Sequence, residues 1–153
     1  MFDAEEIGVA ELHAVVLGGH CRLTLRSKRT NVHRTYEVLV EPKKRNGDTA
    51  HLVRVLHGQD NTADDAYVRM GVIFERRYYY NGEAFKHPWQ GTPGIDSVAH
   101  KAFSYFWKHL VQHHVPDQLE VLLARQCTRC GLWLTAPESV RAGLGPRCRE
   151  AVA

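Results

Sequence analysis

From Cys21 to Arg26 (Cys21-Arg22-Leu23-Thr24-Leu25-Arg26) apolar and polar positions alternate strictly, the two-residue period of a strand with one buried face. Tyr36, Val38 and Val40 repeat that period, and a third strand fits Leu52 to Leu56. Between these two, Lys43-Lys44-Arg45-Asn46-Gly47-Asp48 reads as a hairpin turn with Asn-Gly at its tip. The polar stretch Gly58 to Asp65 leads into a long fourth strand from Tyr67 towards Tyr80, whose inward residues are Val68, Met70, Val72 and Phe74. The segment from Gly82 to Gly94 carries Pro88 and Pro93 and reads as an irregular loop. The period then lengthens. Asp96 or Ser97 caps a helix whose stripe runs through Val98, Ala99, Ala102, Phe103, Phe106, Trp107, Leu110 and Val111, and Pro116 ends it. At the N-terminus, Asp3 is a cap for a further helix that Gly18-Gly19 stops. A short apolar stretch, Leu119 to Leu123, introduces the tail.

These elements predict an α+β fold. An antiparallel four-stranded meander is packed by the long helix, with an N-terminal helix over 1–18, a sheet-and-helix domain over 19–117 and a small tail over 118–153.

Composition changes this picture little. With 44% apolar and 24% charged residues in 153, the chain suits a globular fold rather than a disordered tail or a disulfide mini-scaffold. No apolar run reaches the ~20 residues of a membrane helix. The acidic start, Asp3 to Glu6, does not read as a secretion signal, so the expectation is a cytoplasmic protein whose cysteines stay reduced. Charge is more telling in its placement than in its total of +3. Bases concentrate over 20–58, 68–109 and 125–153, separated by acidic segments.

The strongest chemical signal is Cys127-Thr128-Arg129-Cys130-Gly131. A C-x-x-C pair followed by glycine turns tightly enough to aim both sulfurs at one point, half of a tetrahedral zinc site. Gly143-Leu144-Gly145-Pro146-Arg147-Cys148 supplies a third thiol in the first turn of a short helix. A structural Zn²⁺ on Cys127, Cys130 and Cys148 would explain how so short a tail folds without a core of its own. A thioredoxin-like redox pair needs a βαβ unit, and the pattern contains none.

Cys127-x-x-Cys130-Gly131, Leu134-Thr135-x-Pro137-Glu138-Ser139 and Gly143-x-Gly145-Pro146-x-Cys148 together resemble a small zinc-knuckle, treble-clef-like domain of unknown function found in actinobacteria and their phages. More loosely, Gly58-x-Asp60-Asn61 and Phe103-x-x-Phe106-Trp107 are similar to actinophage proteins carrying this tail. The resemblance implies a phage or actinobacterial origin and nucleic-acid-related surroundings, and no particular activity. Members of that family often have a His shortly before the first cysteine. Here Leu122-Leu123-Ala124-Arg125-Gln126 offers no ligand. Cys21, His113, His114, Glu138, Ser139 and water stay open as the fourth ligand.

Arg22, Thr24, Arg26 and Lys28 share one face of the first strand, and Tyr67, Arg69, Arg77 and Tyr79 share one face of the fourth. Where these faces coincide, cations meet phosphates and rings meet bases, a combination suited to single-stranded nucleic acid. The expected contacts are Arg22, Arg26, Lys43, Lys44, Arg76 and Arg77 to phosphate, with Tyr79 stacking. Solvated strand arginines and packed tyrosines are the plainer explanation of the same residues. The alternative function is an anti-defence or host-takeover factor that binds a host protein complex, anchored by Phe85 and Trp89. No enzyme is expected. The ten histidines are scattered, and no phosphate-binding glycine loop or nucleophile elbow is present. Although a three-ligand zinc resembles a catalytic site, no general base stands near it.

Overall fold

The computed structural model describes residues 8–40, 49–56, 66–81 and 94–152. The elements, in order, are α1 (Val9–Val16), β1 (His20–Ser27), β2 (His33–Val40), β3 (His51–Leu56), β4 (Tyr67–Phe74), β5 (Arg77–Tyr80), α2 (Val98–Leu110), β6 (Leu119–Leu123), β7 (Arg125–Gln126), β8 (Trp133–Leu134), α3 (Pro137–Ala142) and α4 (Pro146–Val152). The fold is α+β. Its main sheet is a curled, antiparallel half-barrel of six strands in the order β5-β4-β3-β2-β1-β6. The proposed Asp3 cap, the Lys43–Asp48 hairpin tip and the 82–93 loop lie outside the described residues, and Gly8 is the N-cap of the described α1.

Two features correct the four-stranded expectation. The supposed long fourth strand folds back on itself at Glu75-Arg76, where both residues take positive φ (49° and 69°) and close a two-residue hairpin. Leu119–Leu123 is no mere lead-in to the tail. It pairs antiparallel with β1, Leu23 opposite Leu123 and Leu25 opposite Val121, and forms the far edge of the sheet.

The inward residues of β4 also change part-way along. Val53 pairs with Gly71 and Arg54 with Arg69, so Met70 is the extra residue of a bulge. Val68 and Met70 point inward as predicted, but beyond the bulge Ile73 is buried while Val72 and Phe74 turn to the other face. Gly71 is required by the next strand. A Cβ there would stand 2.4 Å from the Tyr78 ring, which lies across it.

One face of the sheet carries the main core. Leu23, Leu25, Tyr36, Val38, Val53, Val68 and Met70 meet Leu12 and Val16 of α1 and Phe103, Phe106, Trp107 and Leu110 of α2. Ser97 caps α2, its Oγ accepting from the His100 N–H at 3.2 Å. The helix ends at Leu110, well before Pro116. Val98 belongs to the predicted stripe by spacing, but it is exposed at the outer edge of the first turn. Hydrogen bonds fix the helix to the sheet: Tyr36 Oη donates to the Ala99 carbonyl (2.7 Å), Trp107 Nε1 donates to the Arg76 carbonyl (3.1 Å), and Tyr78 Oη is bonded to His100 Nδ1 (3.1 Å). Among the described residues, no helix is long and apolar enough to cross a membrane.

Phe103 is fully buried and packs against Tyr36, Tyr78, Phe106 and Trp107. Phe103→Ala is therefore expected to lower unfolding free energy by about 3–5 kcal/mol, read by urea denaturation.

Candidate metal centre

Beyond β6 the chain crosses to the opposite face of the sheet and builds a second, smaller core. β7 and β8 pair as a two-stranded ribbon, with Arg125 opposite Leu134 and Gln126 opposite Trp133. The turn between them closes through the Cys127 N–H to the Leu132 carbonyl (2.7 Å) and the Gly131 N–H to the Cys127 carbonyl (2.9 Å). Gly131 takes φ +79°, a conformation in which a side chain is strained, and it lets Cys130 swing back towards Cys127. The Thr128 N–H and hydroxyl both donate to the Gly143 carbonyl, tying this turn to the end of α3. Pro146 then opens α4 and sets Cys148 in its first turn.

These three local structures bring the Sγ atoms of Cys127, Cys130 and Cys148 within 4.8 Å of one another. In a tetrahedral zinc site with Zn–S bonds of about 2.3 Å, neighbouring sulfurs stand about 3.8 Å apart, so a small contraction suffices. The donor set fits a thiophilic ion such as zinc. Hydrogen bonds from the backbone N–H of Cys130, then Gly145 and Arg129, hold the Cys127 thiol down to about 6, towards the thiolate a metal needs. Burial pushes the Cys148 thiol up, and its hydrogen bonds with Cys130 and Cys127 add to the rise. Three thiols gathered at one point form a donor set that a divalent cation could bind with loss of their protons.

Among the described residues, no other His, Cys, Asp or Glu joins the group. Cys21 belongs to the main core on the other face of the sheet, where burial pushes its thiol up to about 12. His113 and His114 follow α2, and the His114 ring rests 5.7 Å from that of His109. Glu138 is exposed in the first turn of α3, and Ser139 Oγ is buried within 3.5 Å of an Arg149 nitrogen.

The cysteine module is docked rather than tethered. Cys127, Leu134, Val140 and Cys148 pack with Leu122 of β6, whose side chain points away from the main core. Thr24 Oγ1 donates to the Thr135 carbonyl at 2.6 Å. The Glu120 carboxylate accepts from Arg26 Nε at 2.9 Å and also pairs with Arg141, joining β6, β1 and α3. No local spacing announces these contacts.

The expected basic surface divides. Arg22 and Arg26 lie on the face opposite the main core, as the alternation of β1 predicts. Arg77 and Tyr79 share that face for a different reason: the bulge at Met70 and the Glu75-Arg76 hairpin each shift the period by one residue, and the two shifts cancel. Arg22 and Arg26, however, are committed to carboxylates within the fold. Glu37, with only 3% of its side chain exposed, receives Arg22 Nε at 2.8 Å, His20 Nε2 at 2.9 Å and Arg54 at 3.2 Å. Burial alone would raise its pKa, but the bonds from Arg22 and His20 and the Arg54 charge outweigh burial and hold it below the ordinary range. Arg77 and Tyr79 remain exposed. Arg76, also exposed, sits in the β4–β5 turn and lends its carbonyl to Trp107. Lys43, Lys44, Phe85 and Trp89 lie outside the described residues.

Two outcomes follow from this geometry. Chelating the metal, or replacing Cys148 by Ser, should collapse the amide NMR dispersion of residues 125–152 while signals of α2 and β1–β4 stay dispersed. Because the folded Glu37 binds its proton less readily than the unfolded one, its stabilisation is present above about pH 4.3 and is lost as pH falls through the lowered value. Glu37→Gln should cost about 2 kcal/mol at neutral pH and flatten the acid limb of a stability–pH curve.

Residues 118–153 match the model of a family of unknown function (DUF6011). That match takes in β6 together with the cysteine module, so the matched segment contains both the three cysteines and the strand on which they dock. No curated protein and no solved structure matches the chain.

Proposed function

We propose that this protein binds single-stranded nucleic acid, with a structural zinc on Cys127, Cys130 and Cys148 holding a basic module rigid against the sheet. The observation that carries the reading is the contrast between two sets of arginines. Arg22 and Arg26 are neutralised inside the fold, whereas Arg77 and Arg147 are exposed and form no ion pair among the described residues. Arg129 is also exposed, beside the metal ligands. Phosphate contacts therefore fall to Arg77, Arg129 and Arg147, with Tyr79 (46% exposed) as a ring for stacking on the sheet. A module with five arginines against two glutamates over 125–153 supplies the electrostatic pull.

In this reading the role is binding rather than catalysis: among the described residues, no His, Asp or Glu joins the three thiols. A phage or actinobacterial accessory protein in a reducing cytoplasm is the setting that the tail's resemblance suggests. Docking on a host protein complex is the competing reading, and salt separates the two. Binding to a labelled single-stranded oligonucleotide, followed by fluorescence anisotropy, should weaken steeply as salt rises. Arg77→Gln and Arg147→Gln should each reduce the log–log salt slope by about 0.7. Absence of binding to single-stranded DNA or RNA at low salt would overturn the proposal and favour the protein partner.

A further inference from the structure

A cleft of about 190 Å³ opens where the main sheet, α1 and the metal module meet. Val15 of α1, Leu123 and Ala124 at the end of β6, and Trp133 of β8 line it, together with His20 and Arg22 of β1. Its mouth is apolar and open to solvent, with Val15 43% and Trp133 41% exposed. Trp133 is held rather than loose. It pairs through β8 with Gln126, and the turn that carries Cys127 and Cys130 closes the ribbon beneath it.

Arg22 makes this wall unusual. Its guanidinium lies 4.8 Å from the Tyr67 ring centroid and 5.7 Å from that of Trp133, a cation set between two rings. Glu37 takes its Nε and fixes its orientation, while its terminal nitrogens have no hydrogen-bond partner among the described residues. The cleft thus combines a flat ring surface with an oriented set of N–H donors. At this volume it lies below the ~300–1,000 Å³ of pockets that enclose drug-sized ligands, so it suits one planar ring system.

We infer that this cleft receives a single nucleobase, stacked on Trp133 and hydrogen-bonded by the Arg22 terminal N–H groups. The inference builds on the single-strand reading and places base recognition at the seam between module and sheet, away from Tyr79. It accounts for a partly exposed tryptophan and an anchored arginine lining the same cleft. Since the ribbon beneath Trp133 is closed at the metal turn, it also makes base binding depend on the metal.

The test uses full-length, zinc-loaded protein and three probes: a labelled single-stranded DNA, an abasic strand of equal length, and a free nucleoside monophosphate. Trp133→Ala should weaken binding of the base-bearing strand about 5- to 150-fold, while the abasic strand binds both proteins alike. Trp133→Phe should restore most of the affinity. Val15→Glu, an exposed change that leaves Trp133 and the metal turn intact, should also weaken the base-bearing strand. Unchanged affinity in Trp133→Ala and Val15→Glu, with the wild type binding the strand, would overturn the cleft assignment and leave the broader reading standing. If the wild type binds no strand but binds the monophosphate in a Trp133-dependent way, the cleft assignment holds and the single-strand reading fails. Binding to none of the three probes overturns both.

Discussion

One short strand serves two cores, and the rest of the molecule is arranged around that constraint. On one face of β6, Val121 and Leu123 close the main core against β1 and the helices. On the other, Leu122 is fully buried beneath Cys127, Leu134, Val140 and Cys148. A strand buried on both faces cannot change register without exposing one set or the other. The position of the three thiols relative to the sheet is therefore set by ordinary side-chain alternation in five residues. The polar contacts of Thr24 with Thr135, and of Glu120 with Arg26 and Arg141, then fix the rotation of the module on that face.

This arrangement decides what the sheet's second face can do. Arginines that look like a phosphate grip along β1 are counter-ions for Glu37 and Glu120, two acids that the dense packing partly removes from water. Their work is to make a polar face compatible with a docked module. The exposed cations left for a ligand include Arg77 on the β4–β5 hairpin and Arg129 and Arg147 around the cysteines. Arg22 is the exception, because Glu37 takes its Nε while its side chain also lines the cleft beside Trp133.

Much of this was legible in the residues, and the failures have local causes. The alternation of β1 and the stripe of α2 assigned the buried residues Leu23, Leu25, Phe103, Phe106 and Trp107 directly. The spacing of Cys127, Cys130 and Cys148 identified the thiol cluster, because a glycine turn and a helix start are short-range structures. The bulge at Met70 was hidden because Val68 to Phe74 is apolar on nearly every position, so a one-residue slip leaves no mark on the pattern. Glu75-Arg76 concealed a hairpin because the turn lacks the Asn or Gly that usually occupies positive φ. Glu37 with Arg22, and Leu122 beneath the cysteines, are pairings across the fold that no local period encodes.

The account rests most heavily on a metal held by Cys127, Cys130 and Cys148. Native mass spectrometry of the intact protein tests it directly. The predicted result is one zinc per chain, with a mass deficit showing that the bound thiols have lost their protons, and loss of that zinc when any one of the three cysteines becomes Ser. A metal-free chain after purification and refolding in zinc, or zinc retained by all three serine variants, would contradict it.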